Sequence, residues 1–222
     1  VSFNYMLALQ ASLDLSNTQD TAIWAAACTV WRDFARLGEI LIDSPLSFDP
    51  TCHVTHDCPK KHGVASNKHK YLQFKVPYMK TQQSAGDWLM SMQTFDNLDA
   101  VCVLEHHLVV NSAVPDSAPL FVYTTQSGWA HLMRSDFMEC RNAIWLDTSL
   151  GALNGHGFCI GGTTHLLLHG VDPWIVMKPG RWSSAAFLLY WHNIEEISHL
   201  FIRNSLDTLN SLKDSVARLA KI

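Results

Sequence analysis

The sequence predicts a mainly helical α+β domain that contains one small antiparallel β-sheet. Three observations support this fold class: several apolar stripes have helical spacing, one pair of segments alternates like the strands of a hairpin, and the composition is that of a globular protein. The chain has 222 residues, of which 48% are hydrophobic and 16% are charged. This is enough apolar material to bury a full core, so one domain is expected, and two at most.

Most of the predicted elements are helices. In the first, residues 20–42, apolar residues recur at spacings of three and four, and Asp20 is the expected N-cap. The other predicted helices cover residues 99–111, 133–145 and 161–169, followed by a short helix opened by Asp172 and Pro173 and another capped by Ser183 or Ser184. An apolar stripe with spacings of three and four after Phe201 predicts an amphipathic C-terminal helix over residues 203–222.

The predicted sheet is a hairpin. Residues 71–78 alternate well enough for a strand, 88–93 form its partner, and 81–87 form the turn. Lys80 then lies at the end of the first strand. The preceding segment, 51–70, is rich in His and Lys and is expected to be a loop.

Composition and charge limit the class of protein. The longest apolar run, residues 23–31, is too short to cross a bilayer, and the first ten residues lack the features of a secretory signal. We therefore expect an intracellular protein with no membrane partner. The chain starts with Val, which suggests that an N-terminal part precedes it.

A net charge of −4 does not indicate a nucleic-acid-binding protein, so any DNA binding would need a local basic surface.

Seven residues are candidates for chemistry: Arg36, Glu39, Lys80, His156, Cys159, Trp182 and Tyr190. Each of them alone is typical of ordinary structure, since an Arg–Glu pair three residues apart is usually a surface ion pair and a single His is usually structural. Their order and spacing together favour a site that handles a phosphate group.

Four segments resemble the catalytic domain of the tyrosine recombinases, the DNA strand-exchange enzymes that include phage integrases. They are RLGE at 36–39, KT at 80–81, GHGFCIGGTTHLLLHGV at 155–171 and GRWSSAAFLLYW at 180–191. The chain is most similar to the fungal, Crypton-like recombinases of mobile elements. The resemblance covers about residues 5–202 and implies a catalytic domain over residues 1–202. From the resemblance we expect the N-terminal domain with which such enzymes clamp the other face of DNA to be absent from residues 1–222, and the expected location is the nucleus.

The resemblance also implies which residues carry out nucleophilic attack and which transfer protons. Tyr190 is the nucleophile, which attacks a DNA phosphodiester and forms a covalent phosphotyrosine without a cofactor or a metal. His156 assists proton transfer at the tyrosine and helps to hold the phosphate. Lys80 delivers a proton from its hairpin to the leaving 5′ oxygen.

The same resemblance assigns the phosphate contacts. Arg36 clamps non-bridging oxygens, since its planar fork of donors matches phosphate geometry, and Glu39 orients it. The indole N–H of Trp182 donates to another oxygen. Arg181, its neighbour, belongs to the GRW pattern itself and is not an evident replacement for another arginine.

Cys159 departs from the family pattern, because the His-x-x-Arg motif has a second clamping arginine at this position. A cysteine is short, neutral at rest and a weak donor, so it cannot neutralise the charge of the transition state. An arginine finger in phosphoryl transfer contributes about 10³–10⁵ in rate, or roughly 4–7 kcal/mol. We therefore expect impaired strand cleavage.

Two functions remain open: a recombinase-type enzyme, and a non-catalytic DNA-binding or interaction module that keeps the fold. Double-stranded DNA is the expected partner, and a second copy of the chain would dock on DNA through residues 203–222. A third hypothesis is a zinc site at CHVTHDC, residues 52–58, although its spacing matches no common zinc finger. A Cys–His nucleophile at Cys159 and His156 is formally open, whereas no acidic trio for a metal nuclease stands out.

Overall fold

A computed structural model of the chain describes residues 1–79, 86–172, 175–176 and 178–182. In these ranges the helices are α1 (Phe3–Ser12), α2 (Thr18–Arg32), α3 (Leu37–Ile40), α4 (Ala100–Val110), α5 (Arg134–Asp147) and α6 (Gly157–Leu168), with a 3₁₀ helix at Pro45–Ser47. The strands are β1 (Lys60–Val64), β2 (Lys70–Val76), β3 (Asp87–Met92), β4 (Val122–Thr125) and β5 (Gly128–His131). The predicted α+β class, mainly helical, is confirmed. The chain divides into two compact units, Val1–Gly162 and the residues from Thr163 onward.

Helix α2 is the central helix of the first unit. Residues 21–31 are all buried, so the helix is covered on every side. It packs against α1, α4 and β4, and α1 in turn packs against α5. The side chain of Asn17 caps α2 by accepting hydrogen bonds from the backbone N–H groups of Gln19 and Asp20. The predicted cap, Asp20, was wrong: its carboxylate instead accepts from the backbone N–H of Asp14.

The predicted helix over residues 20–42 is broken. α2 ends at Arg32, and Phe34 has a φ of 53°. A bulky residue rarely adopts this left-handed conformation, which cannot continue a right-handed helix. The side chain of Phe34 is buried, and its burial in the core offsets the strain. The chain then starts again as the short helix α3, with Arg36 as its N-cap.

The strands form two antiparallel sheets. β1, β2 and β3 pair in that order, and β4 pairs with β5 in a separate hairpin. β2 and β3 confirm the predicted strand pair, in which Phe74 lies opposite Leu89. β1 lies in the segment that was predicted to be a loop. Its sequence, KKHGV, has a single large apolar residue, Val64, and that residue is exposed, so the strand shows no alternating pattern.

Three of the other predicted helices are present with shifted ends. The predicted helix opened by Asp172 and Pro173 lies only partly within the described residues, and the one capped by Ser183 or Ser184 lies outside them. α4 and α5 match residues 99–111 and 133–145 closely, whereas α6 begins four residues earlier than expected, at Gly157. The side chain of Asn154 accepts from the backbone N–H of Gly157 at 3.2 Å, which satisfies the first turn. A Cβ atom at Gly162 would lie 1.9 Å from the backbone oxygen of Trp31, so only glycine allows α6 to approach α2 this closely. No helix in the described ranges is both long and apolar enough to span a membrane.

A buried polar cluster centred on His107 connects α4 to β4. His107 donates through Nε2 to the backbone oxygen of Leu120 at 2.9 Å, and its Nδ1 accepts from Nδ2 of Asn111 at 3.1 Å. Asn111 is itself fixed, because Nδ2 also donates to the backbone oxygen of Thr18 and Oδ1 accepts from the backbone N–H of Thr124. Burial lowers the pKa of His107 from 6.5 to about 4, so the ring is neutral at physiological pH.

Candidate functional site

Three of the predicted site positions line one open cleft in the first unit. The cleft has a volume of about 370 Å³ and lies between α3, the start of α5 and the start of α6. Its described lining comprises two arginines, a histidine, a cysteine, two large apolar residues and two glycines: Arg36, Arg134, His156, Cys159, Leu37, Met138, Gly38 and Gly155. Arg36 and His156 therefore line the same cleft, although most of the first unit separates them in sequence.

Glu39 holds Arg36 at the cleft. One carboxylate oxygen accepts from the backbone N–H of Arg36 at 2.9 Å, and the other accepts from its guanidinium at 2.8 Å. The side chain of Glu39 is 5% exposed and that of Arg36 is 35% exposed. A guanidinium carries five N–H donors, and this contact uses one of them. Glu39 thus fixes both the main chain and the side chain of Arg36, as expected of an orienting residue.

His156 and Cys159 lie at the start of α6. His156 immediately precedes the helix and is exposed, whereas Cys159 is 5% exposed. The thiol of Cys159 donates to the backbone oxygens of Ala35 and Phe34, at 3.2 and 3.6 Å. Position 159 therefore borders the cleft just beside Arg36, and the residue there contributes a thiol in place of a cation.

The loop before His156 is tied to a buried arginine. Arg141 is fully buried, and its guanidinium lies 4.5 Å from the ring centre of Trp145 and 5.3 Å from that of Phe158. It donates to the backbone oxygen of Leu153 at 2.7 Å. Burial lowers the pKa of Arg141 to about 10, so the group stays charged at neutral pH. A charge in the core therefore anchors the segment that leads to His156.

Sequence reasoning missed Arg134, the first residue of α5. Its backbone N–H donates to the oxygen of Ile42 at 2.8 Å, next to a parallel bridge between Ile42 and Met133. Its guanidinium forms an ion pair with Asp43 at 2.9 Å, and the two side chains are 48% and 64% exposed. No local pattern links Arg134 to Arg36, because a tertiary bridge brings them to one cleft.

The structure does not test whether the predicted catalytic residues Lys80, Arg181, Trp182 and Tyr190 reach this cleft. Lys80 and Tyr190, together with the predicted helix over residues 203–222, lie outside the described residues. Arg181 and Trp182 belong to the second unit, where Arg181 has a φ of 54° and its backbone N–H donates to the oxygen of Lys178 at 3.0 Å. The catalytic roles of these residues stay predictions.

The zinc hypothesis gains no support from the geometry. The described part of the chain includes all of residues 52–58 and contains no group of three or more His, Cys, Asp or Glu side chains that could hold a metal ion. His53 accepts through Nδ1 from the backbone N–H of Asp49, at 3.1 Å. His56 packs against His107, with ring centres 5.9 Å apart, and Cys58 is buried. These side chains are engaged in local structure.

Comparison with known proteins identifies the type of fold. Neither the protein-family models nor the curated protein sequences match the chain. Among solved structures, the Flpe–Holliday junction complex is similar, with a TM-score of 0.52 at 13% identity over 86% of this chain. The match covers 44% of that protein, so the chain spans less than half the length of this structural neighbour. At this identity the similarity shows that the chain shares its fold, the α+β fold described above, with this neighbour.

Proposed function

We propose that this chain is a DNA breaking-rejoining domain of the tyrosine-recombinase type whose strand-cleavage step is impaired. It binds double-stranded DNA at the cleft of Arg36 and His156, and Tyr190 is its nucleophile. The observation that carries the proposal is the convergence of Arg36 and His156 on one cleft within a recombinase-type fold. The similarity to a structure named as a Holliday junction complex supports DNA as the partner.

The cleft is suited to a phosphodiester. Arg36 is held by a buried carboxylate, so less conformational freedom is lost when its remaining donors bind phosphate oxygens. His156 lies at the N-terminus of the twelve-residue helix α6, where the aligned peptide dipoles favour an anion. The overall charge of −4 does not oppose this, because binding depends on the charge at the cleft.

Cys159 reduces catalysis more than binding. The thiol donates to the backbone oxygens of Phe34 and Ala35 and brings no positive charge. The transition state of phosphoryl transfer spreads charge over the phosphate oxygens, and an arginine directed at that charge contributes about 10³–10⁵ in rate. Phosphate binding in the ground state needs only the remaining cations. The expected behaviour is DNA binding with little phosphotyrosine product.

The proposal also assigns roles to predicted residues whose relation to the cleft is not described. Lys80 protonates the leaving 5′ oxygen, Trp182 donates to a phosphate oxygen with Arg181 supporting it, and residues 203–222 dock on a neighbouring copy on DNA. We also propose that the chain derives from a fungal, Crypton-like mobile element and acts in the nucleus. These assignments rest on the sequence resemblance.

Covalent trapping on a nicked, suicide-type DNA substrate tests the proposal. The unmodified chain should form little covalent adduct, Cys159→Arg should raise the yield, and adding Tyr190→Phe should abolish it. Cys159→Ser is the matched control, since it changes the same buried position without adding charge. Thermal unfolding of each variant shows whether the larger side chain is accommodated.

The outcomes separate the two candidate functions. Abundant adduct from the unmodified chain would show that cleavage is not impaired. DNA binding without adduct in folded Cys159→Arg favours the non-catalytic DNA-binding module. Unchanged DNA binding after Arg36→Gln would contradict the assignment of the cleft. Adduct that survives Tyr190→Phe would exclude Tyr190 as the nucleophile.

A further inference from the structure

We propose that Arg134 is a second phosphate-contacting arginine of the cleft, which supplies part of the positive charge that Cys159 does not. The inference rests on the proposed function and adds to it a residue that none of the recombinase-like segments contains. Arg36 and Arg134 line the same cleft, one from the start of α3 and the other from the start of α5.

Both arginines contact the short segment that contains α3. Arg36 caps α3, and the backbone N–H of Arg134 donates to the oxygen of Ile42, the second residue after the end of α3. A Cβ atom at Gly38 would lie 3.7 Å from Nη1 of Arg134, so the guanidinium of Arg134 lies next to α3, two residues beyond Arg36. The two arginines are therefore held in a fixed relation by local backbone contacts.

The charges around the cleft favour an anion. Its described lining contains two arginines and a histidine but no carboxylate. The two acidic residues that pair with these arginines differ in their exposure to solvent. Glu39 is buried and orients Arg36, whereas Asp43 is 64% exposed and pairs with a half-exposed Arg134. An exposed ion pair of this type is weak, so a DNA phosphate can displace Asp43 from Arg134 at little cost.

The assigned role concerns binding of the phosphate. Arg134 approaches from α5, while the position that lacks an arginine is Cys159 on α6. The two places differ, so Arg134 adds a contact to the bound phosphate without restoring the transition-state contact of an arginine at 159. This role is consistent with a chain that holds DNA and cleaves it poorly.

The test is a binding cycle on the full chain with a short double-stranded oligonucleotide, measured by fluorescence anisotropy at several salt concentrations. Arg134→Gln should weaken binding about tenfold and lower the slope of log affinity against log salt by about one, as expected for one lost phosphate contact. Arg134→Lys should retain the slope but weaken binding, since a point charge replaces the bidentate fork. Arg36→Gln is the reference for a cleft arginine.

Asp43→Asn completes the cycle. It releases Arg134 from its ion pair, so binding should strengthen a few-fold when Arg134 is present and remain unchanged when Arg134→Gln is also present. Equal strengthening in both backgrounds would mean that net charge alone acts, and the inference would be overturned. Loss of binding in Arg36→Gln but not in Arg134→Gln would overturn the inference and leave the proposed function intact. If neither substitution weakens binding, both proposals fail.

Discussion

Acidification should destabilise the first unit through His107. The pKa of a histidine in an unfolded chain is near 6.5, whereas burial lowers that of His107 in the folded protein to about 4. Between these values the unfolded state binds the proton and the folded state does not, so the free energy of unfolding falls as the pH falls. The difference of about 2.5 pH units corresponds to about 3 kcal/mol, all of which is present above pH 6.5 and lost by pH 4.

The hydrogen bonds of the cluster explain why the ring resists protonation. A proton on Nδ1 of His107 would face the amide Nδ2 of Asn111, which is also a donor. Asn111 cannot flip to offer its oxygen, since that oxygen accepts from Thr124 and Nδ2 also donates to Thr18. Uptake of the proton therefore requires the cluster to open.

Urea unfolding between pH 7 and pH 4 measures this effect when the chain is compared with His107→Gln. The variant is expected to be less stable at pH 7, and its deficit should shrink by about 3 kcal/mol at pH 4, because only the unmodified chain loses the contribution of His107. His62→Gln, which makes the same substitution at an exposed histidine, is the matched control. A constant difference between the chain and His107→Gln across this range would refute the reasoning.

Other substitutions test the packing and the assembly. Gly162→Ala should lower the free energy of unfolding by about 1–3 kcal/mol or more, since its Cβ would lie 1.9 Å from Trp31, whereas Gly151→Ala, with its nearest contact at 3.6 Å, should change it little. Asp99→Ala should cost about 2 kcal/mol in urea unfolding, because its carboxylate accepts from four backbone N–H groups at and before the start of α4. Removal of residues 203–222 should reduce assembly of the chain on DNA, measured by the size of the complex; unchanged assembly and stability would make the apolar stripe incidental.

The parts of the fold that could be predicted are those in which one face is apolar. β2 and β3 alternate because one face of each is buried, and α4 and α5 have clear boundaries. β1 could not be found, since an exposed edge strand needs no apolar face. The break after α2 could not be found either: it depends on the left-handed conformation of Phe34, and core packing sets that conformation.

The residues of the candidate site also fall into two groups, those that a sequence pattern predicts and those that only a tertiary contact places. Arg36, Glu39 and His156 were predicted because recombinase-like segments contain them, and the structure brings Arg36 and His156 to one cleft. Arg134 carries no such signal. Its position depends on a bridge between Ile42 and Met133, a tertiary contact that no short segment of sequence encodes.

The buried arginine in α5 has a consequence for both the stability of the core and the geometry of the cleft. Arg141 keeps its charge in the core. Replacing buried charged groups with apolar residues of similar size often makes a folded protein more stable. Replacement by methionine or leucine would then strengthen the core, but it would release Leu153 and with it the approach to His156. Arg141→Met should therefore raise the free energy of unfolding while it loosens the segment before His156, and a variant of this kind would separate the stability of the core from the geometry of the cleft.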